Sequence, residues 1–371
     1  MKTTKRGTFR VFIVLLLVLG ISLTVMNIYD NIYVSTFQTE NKGEIETALN
    51  EAVKEHVEKN KFSGSVLVAQ GDKIILNEGY GYARRYLGIT RNTPNTKYVL
   101  GSMTKTFTAL AIMQLKEKKL LSLEDRVTKY YPEYKGWEDV TIHHLLNHTS
   151  GIQNYYKSVL DYIRHFIPHN TPEKIMARFK ETPLLFQPGT DYEYSNTNYM
   201  ILTGIIEMVS GNTYIDYLTK NILDPLGLVR TGYSEHTDSV SNLAKGYMLD
   251  MIVEINGFNL SNLYGAGGLY STTEDLYKFL KSLDMHELVN DASKVSVKAG
   301  SEYEYGYGMM FTNNKNYGKT FFITGGGPGI NTGMYKLVDK DTIIIVLSNN
   351  QGFDKEELVA DLYGSIKSLQ P

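Results

Sequence analysis

Hydrophobic and polar positions divide the chain into a β-rich region near each end and a mainly helical region between them. Apolar residues recur at four-residue spacing from Ile45 to Val57, which predicts an amphipathic helix. Two β-rich runs follow, Gly64–Ala69 and Lys73–Tyr80, and Gly71 between them allows the positive φ of a tight turn. We therefore expect a β-hairpin directly after the first helix.

From about residue 103 to residue 300 the apolar spacing is mainly helical, with proline and glycine between the segments. Three cap signals support helices here: Ser122-x-x-Asp125, Thr171 before Pro172, and Thr272-x-x-Asp275. Strand patterns then return at Tyr305–Phe311, Thr320–Thr324, Asn331–Val338 and Thr342–Ser348, the last two joined by a turn at Asp339-Lys340-Asp341. A final helix is expected from about Asp354 to Leu369.

This arrangement predicts an α+β fold with two lobes. Strands from both ends of the sequence would form one antiparallel sheet flanked by helices, with a mainly helical lobe inserted between them. We expect the sheet lobe at about 44–100 and 301–371, and the helical lobe at about 101–300. Clefts commonly form where two lobes meet, so the junctions between these blocks are where chemistry is expected.

The first thirty residues have the pattern of an export signal. Lys2, Lys5, Arg6 and Arg10 precede a largely apolar run, Val11–Met26. No small-x-small cleavage site follows it, which favours an uncleaved membrane anchor over a removed signal peptide. We expect residues 1–30 to be this anchor and 31–43 a tether. Positive charges on the N-terminal side would leave the domain from residue 44 outside the cell membrane, or secreted if the segment is cleaved.

Composition excludes several classes of function. The 371 residues carry a net charge of −2, so nucleic acid is not an expected partner, and the substrate should be a small molecule or a peptide. There is no cysteine, which excludes disulfides, thiolate catalysis and cysteine metal sites.

His144 and His148 lack the glutamate of a zinc hydrolase motif, so we expect no metal and no cofactor. The 28 tyrosines are interpreted as packing. The oligomeric state is left open.

Candidate chemistry begins at the first junction, where Ser102 and Lys105 open a helical run. At the start of a helix, a spacing of three places both side chains on one face, within hydrogen-bond reach. A desolvated lysine can accept the serine proton, and N–H groups of the helix start can stabilise an oxyanion. A Ser-x-x-Lys sequence often occurs by chance, so it indicates a catalytic site only when further matching segments accompany it.

Two further segments of the sequence offer side chains and backbone groups suited to the same chemistry, although each alone could be an ordinary loop. After the turn at Pro188-Gly189, Tyr194-Ser195-Asn196 offers a phenol that a nearby ammonium could help to ionise, and an amide that could contact substrate. Near the end, Thr324 precedes Gly325-Gly326-Gly327-Pro328-Gly329 at the end of a strand. Glycines there permit close approach of a ligand, and the Gly326 N–H could join that of Ser102 in an oxyanion hole.

Five ordered segments over about residues 45–365 resemble the class C β-lactamase-related group of the serine β-lactamase and penicillin-binding-protein family. They are Gly101-Ser102-Met103-Thr104-Lys105-Thr106-Phe107-Thr108, His148-Thr149-Ser150-Gly151, Pro188-Gly189 with Tyr194-Ser195-Asn196, Ala266-Gly267-Gly268-Leu269-Tyr270-Ser271-Thr272, and Gly325-Gly326-Gly327-Pro328-Gly329. The two-lobe fold of that family matches the predicted architecture.

The resemblance implies a role for each matching residue. Ser102 would be the acylated nucleophile, Lys105 its proton partner and Tyr194 the base. Asn196 would contact the substrate amide, Thr324 would bind near the substrate carboxylate, and Gly325 would also contact the substrate. Ser102 and Gly326 would form the oxyanion hole, and His148-Thr149-Ser150-Gly151 would be a structural turn.

One position departs from that pattern, because the family usually has lysine or histidine where this chain has Ile323. A cation there helps to bind a substrate carboxylate, so its absence puts efficient carboxypeptidase or β-lactamase activity in doubt. We expect an acyl hydrolase of D-amino-acid peptides of the cell wall, like a D-alanyl-D-alanine carboxypeptidase, D-peptidase or esterase. The alternatives are a class C-like β-lactamase and a catalytically weak penicillin-binding or wall-interacting protein.

Overall fold

The computed structural model describes residues 43–59, 61–86, 88–154, 174, 176–179, 181–255, 260, 263–283, 296–299, 302–314 and 317–368. Contacts divide the chain after Ala48, and the fold below is that of the unit Leu49–Pro371. The helices of the described part are α1 Glu44–Lys59, α2 Thr104–Glu117, α3 Ile142–Leu146, α4 Asn196–Ser210, α5 Tyr214–Leu218, α6 Tyr264–Gly267, α7 Thr273–Ser282 and α8 Lys355–Ser368.

The described part of the chain also contains fifteen strands. They are β1 Gly64–Gln70, β2 Lys73–Tyr80, β3 Tyr82–Arg84, β4 Thr90–Arg91, β5 Tyr98–Val99, β6 Gly232–Tyr233, β7 Gly246–Met248, β8 Val253–Ile255, β9 Leu269–Ser271, β10 Val297–Lys298, β11 Glu304–Gly306, β12 Met309–Asn314, β13 Gly318–Gly327, β14 Ile330–Leu337 and β15 Thr342–Ser348.

The main sheet has eight antiparallel strands in the order β10-β11-β12-β13-β14-β15-β1-β2, which confirms the predicted α+β fold. The two ends of the sequence meet in its centre, where Gly64 pairs with Ser348 and Gln70 with Thr342. Strand β15 is buried along its whole length, as expected of an isoleucine-rich strand with helices on both faces. Helices α7 and α8 both contact it.

The predicted hairpin and final helix are confirmed, but the predicted strand Tyr305–Phe311 is in fact two strands. Tyr307 and Gly308 both have positive φ, 49° and 81°, and form the turn between β11 and β12. A side chain on Gly308 would lie 3.0 Å from the backbone carbonyl carbon of Lys105. This turn therefore packs directly against the start of α2.

The described residues between Ser102 and residue 300 also include strands that were not predicted. Strands β6 and β9 form a three-stranded sheet with β5, in the order β5-β9-β6, and β7 pairs with β8 in a separate hairpin. The Thr272 cap is confirmed, since its side chain accepts from the Asp275 N–H at the start of α7. Ser122 and Asp125 form a turn instead of an α-helix start, and Thr171 lies outside the described residues.

Among the described residues, no helix has both the length and the apolar character needed to cross a bilayer. The predicted anchor, residues 1–30, and the first twelve residues of the predicted tether lie outside them.

Candidate active site

Ser102 lies in a tight turn between β5 and α2. This 3-10 turn, Gly101–Met103, leads directly into the helix at Thr104, which confirms the predicted position at a helix start. Gly101 has φ +57°, and a side chain on it would lie 3.2 Å from the Gly326 nitrogen. The turn that carries the nucleophile is thus packed against the glycine end of β13.

The amine of Lys105 reaches three oxygen atoms. It donates to the Asn196 Oδ1 over 2.7 Å and to the Ala266 carbonyl over 2.6 Å, and its Nζ lies 3.1 Å from the Ser102 Oγ. The side chain is only 1% exposed. Three elements, α2, α4 and α6, therefore fix the position of this nitrogen relative to the serine.

Burial lowers the pKa of Lys105 well below 10.5, because the charged form loses its hydration. The Asn196 and Ala266 oxygens can only accept, and the Lys105 Nζ also donates to the Ser102 Oγ. A neutral amine has two N–H groups and one lone pair. Once Lys105 is neutral, its N–H groups can satisfy the Asn196 and Ala266 oxygens, and its lone pair can take the serine proton.

Tyr194 donates its hydroxyl proton to the Ser102 Oγ over 2.8 Å. Its ring lies beside the lysine, with the Lys105 Nζ 5.0 Å from the ring centroid. The sequence suggested that this phenol ionises easily, but burial raises its pKa above the ordinary value. The Tyr194 hydroxyl is thus placed as a proton donor to Ser102, and its predicted role as the base stays a prediction.

Asn196 is the first residue of α4 and faces the lysine. Its Oδ1 accepts from Lys105, while its backbone N–H and its Nδ2 donate to the Asn154 Oδ1 over 3.1 and 3.4 Å. The amide is oriented by these contacts. Its predicted contact with substrate remains a prediction.

Strand β13 brings Thr324, Gly325 and Gly326 to the nucleophile. Strand β12 pairs with β13 only as far as Phe322, so on that side the described residues leave the edge of β13 unpaired from Ile323 to Gly327. A side chain on Gly325 would lie 1.9 Å from the Leu100 carbonyl oxygen, whereas one on Gly326 would meet no atom within 4 Å. Gly326 thus borders open space, as a residue of an oxyanion hole must.

Ile323 is 1% exposed and belongs to the hydrophobic core, where it pairs with Met334 of β14. The position that holds a cation in the family is therefore apolar in this chain.

The sequence analysis missed a histidine and tyrosine cluster behind Tyr194. The His148 ring lies 4.4 Å from the Tyr194 ring, 5.3 Å from Tyr199 and 4.7 Å from Tyr305, between centroids. Its Nδ1 is within hydrogen-bond distance of the Ser195 N–H and the Asn198 Nδ2. Burial lowers its pKa well below 6.5. The high tyrosine count was the one signal for this cluster.

His148 does not join His144 in a metal site. The His144 Nδ1 accepts from the Thr141 N–H and caps α3. The described residues contain no group of three or more ligands suited to a metal ion.

This chain is similar to known proteins both in sequence and in fold. A family model described as Beta-lactamase matches residues 49–365. A penicillin-binding protein of Bacillus subtilis (strain 168) is 32% identical over 318 residues, which cover 79% of this chain and 69% of the relative. A teichoic acid D-alanine hydrolase of Staphylococcus aureus (strain NCTC 8325 / PS 47) is 28% identical over 85% of this chain and 77% of its own.

A crystal structure of a penicillin-binding protein from Bacillus halodurans superimposes with a TM-score of 0.74 at 26% identity, covering 87% of this chain and 100% of that one. The family match spans most of the chain and includes every residue of the Ser102 site. The chain therefore belongs to the beta-lactamase family and is a serine hydrolase.

Proposed function

We propose that this protein hydrolyses D-aminoacyl esters and amides outside the cell through an acyl-enzyme on Ser102. The observation that carries the proposal is the contact set of Ser102, whose Oγ lies 3.1 Å from the Lys105 Nζ and 2.8 Å from the Tyr194 hydroxyl. A base and a proton donor on one nucleophile are what acyl transfer requires. Because this set of catalytic contacts is complete, it also disfavours the alternative of a catalytically weak binding protein.

In the acylation step, neutral Lys105 accepts the hydroxyl proton of Ser102, and the Oγ bonds to the substrate carbonyl carbon. The N–H groups of Ser102 and Gly326 receive the negative charge that forms on the carbonyl oxygen. Tyr194 donates its proton to the leaving oxygen or nitrogen and regains one from the Lys105 ammonium. The carbon–heteroatom bond breaks, an alcohol or amine departs, and the acyl group remains on Ser102.

In the deacylation step, water attacks the ester carbon of the acyl-enzyme. Lys105, again neutral, takes a proton from the water through Tyr194, and the Ser102 oxygen leaves and is reprotonated. The products are the free acid and the starting protein. The same groups thus act in both directions, as microscopic reversibility demands.

The apolar Ile323 supports a substrate without a free carboxylate beside the scissile bond. A carboxypeptidase substrate or a β-lactam carries such a carboxylate, and a buried isoleucine offers it no partner. A D-aminoacyl ester instead carries an ammonium group, which the exposed Glu193 and the ring of Tyr192 can attract. The Staphylococcus aureus relative is named for hydrolysis of D-alanine from teichoic acid, which is chemistry of this class.

Export and membrane tethering are part of the same proposal. They are supported by the cations before Val11–Met26 and by the wall-related names of the relatives. The domain would then act on polymers or lipids at the outer face of the membrane.

A matched substrate series tests the proposal. Wild type and Ser102→Ala are assayed on a D-alanyl ester, D-alanine amide, an N-acylated D-alanyl-D-alanine peptide and a cephalosporin. We expect turnover of the ester and the amide, little of the two carboxylates, and none by Ser102→Ala. Preference for the cephalosporin would establish the β-lactamase alternative, and preference for the dipeptide a carboxypeptidase. Equal turnover by Ser102→Ala would refute the acyl-enzyme.

A further inference from the structure

An exposed apolar patch, which we call the docking face, lies on the loop after β3 and on the β7–β8 hairpin. It consists of Tyr86, Ile89, Leu249, Ile252 and Val253, with 43, 58, 66, 69 and 41% of their surfaces exposed. Of the twelve large exposed hydrophobic side chains among the described residues, these two short segments hold five. Single exposed apolar residues are ordinary, but a cluster of this kind marks a contact surface.

Hydrogen bonds join the two segments of the docking face. The Tyr86 hydroxyl donates to the carbonyl oxygens of Met251 and Ile252 over 3.0 and 2.7 Å. The Tyr86 ring also lies 6.1 Å from that of Tyr247 on β7. The two segments that carry the docking face are therefore held together through Tyr86.

The hairpin tip has a strained backbone. Leu249, Asp250 and Met251 all have left-handed φ, at 50°, 53° and 71°, although none is glycine. Met251 is buried at 3% exposure, while Leu249 and Ile252 point outward. Such strain persists where the surrounding structure enforces it, commonly at functional sites. Here it accompanies the presentation of two large apolar side chains to the solvent.

Charges around the docking face are mixed. Arg84 and Arg85 precede Tyr86, whereas Asp250 and Glu254 lie on the hairpin. The Glu254 carboxylate accepts from the Tyr247 hydroxyl, and Lys245 is paired with Asp238. The near balance of charge means that apolar contact, rather than attraction to an anionic surface, must provide the binding.

We infer that the docking face inserts shallowly into the lipid bilayer that anchors the chain, an inference that rests on the tethering part of the proposed function. The predicted tether, residues 31–43, can span at most about 45 Å, so the anchored domain stays close to the membrane surface. Tethering raises the effective concentration of the bilayer, so a few apolar side chains suffice for docking.

The position of the hairpin connects docking to catalysis. A side chain on Gly246 of β7 would lie 3.0 Å from the Gly329 Cα, in the turn that follows Gly326. A docked hairpin would therefore hold the Ser102 cleft at a fixed height above the lipid surface. Substrates carried on membrane-anchored molecules would be presented at that height.

The absence of cysteine permits a site-specific test on the full chain. Ile252→Cys and Val229→Cys, each in a Ser102→Ala background, are labelled with an environment-sensitive nitrobenzoxadiazole dye and mixed with phosphatidylcholine–phosphatidylglycerol vesicles. Val229 is 81% exposed and lies away from the docking face in sequence, so it is the matched control. We expect a blue shift and a several-fold rise in emission at position 252, quenched by spin-labelled lipid, and no change at 229.

Two outcomes would overturn the inference: equal responses at the two positions, or a rise at position 252 that follows protein concentration without lipid. The last would indicate a second copy of the chain as the partner. This readout does not depend on hydrolysis, so it separates failure of docking from failure of the proposed function.

A second measurement uses the variant Leu249→Ser combined with Ile252→Ser. We expect unchanged turnover of a soluble D-alanyl ester, which also reports correct folding, and a several-fold loss on the same ester carried by vesicle lipid. Equal turnover on both substrates would contradict a docking role. Loss on both would place the hairpin within the catalytic machinery instead.

Discussion

The Lys105 amine donates to the carbonyl oxygen of Ala266 over 2.6 Å, across 161 positions of sequence. When the amine is neutral, this bond and that to Asn196 occupy its two N–H groups and leave its lone pair for Ser102. The basicity of the site thus depends on backbone placed by α6, which no side-chain motif contains.

Replacing this amine should abolish most of the activity. For Lys105→Met we expect the turnover number on a D-alanyl ester to fall by about 10²–10⁴, the usual contribution of a positioned general base. Lys118→Met, at an exposed position just after the same helix, is the control and should retain wild-type turnover. A loss of less than tenfold in Lys105→Met would assign the base to another group.

Activity and stability should both depend on the protonation of Lys105. Its pKa in the folded chain lies below that of the unfolded chain, so the unfolded state binds more protons between the two values. The free energy of unfolding should therefore rise with pH across that window, and the rate should rise as the amine loses its proton. Melting temperatures and rates from pH 6 to about 9.5 measure this trend. A parallel stability profile in Lys105→Met would show that another group titrates.

Tyr194 should matter as a proton donor. For Tyr194→Phe we expect the turnover number to fall by about 10²-fold or more, with the greater loss for the amide substrate, because an amine leaves poorly without a proton. Tyr192→Phe is the control, since that half-buried phenol is not bonded to Ser102. Equal losses in the two variants would indicate a general disturbance of the tyrosine cluster.

Adjacent glycines of β13 should respond differently to a single methyl group. Gly325→Ala places its Cβ 1.9 Å from the Leu100 carbonyl oxygen, and we expect it to destabilise the fold by about 1–3 kcal/mol or more. Gly326→Ala meets no atom within 4 Å and should melt close to wild type, with any loss confined to turnover. Chemical denaturation of both variants measures the difference. A stable, fully active Gly325→Ala would contradict the described packing of β13 on the Ser102 turn.

Much of the fold was predictable because its elements follow simple periodicity. The hairpin at β1 and β2, the buried strand β15 and the cap at Thr272 all carry local signals. The turn at Tyr307-Gly308 was missed. Gly308 is a local turn signal, but the positive φ of Tyr307 is not signalled by residue type, and the close packing of Gly308 on α2 is a property of the fold.

Part of the candidate site was likewise predictable from the sequence, and part was not. Ser102, Lys105, Tyr194 and Asn196 belong to short motifs, and the structure brings them together. The Ala266 carbonyl is a backbone group. Whether Tyr194 keeps its proton depends on its burial, which is a property of the fold. Neither has a signature in residue type or spacing.

The pairing of β1 with β15 has a consequence for how the chain reaches its folded state. The Ser348 hydroxyl donates to the Ser63 carbonyl, 285 positions away, and the centre of the sheet is built from such distant partners. The central strands cannot close until both ends are present together, and contacts so remote in sequence favour slow folding. A chain whose central strands pair last stays unfolded until late in its synthesis, which would suit the export proposed above.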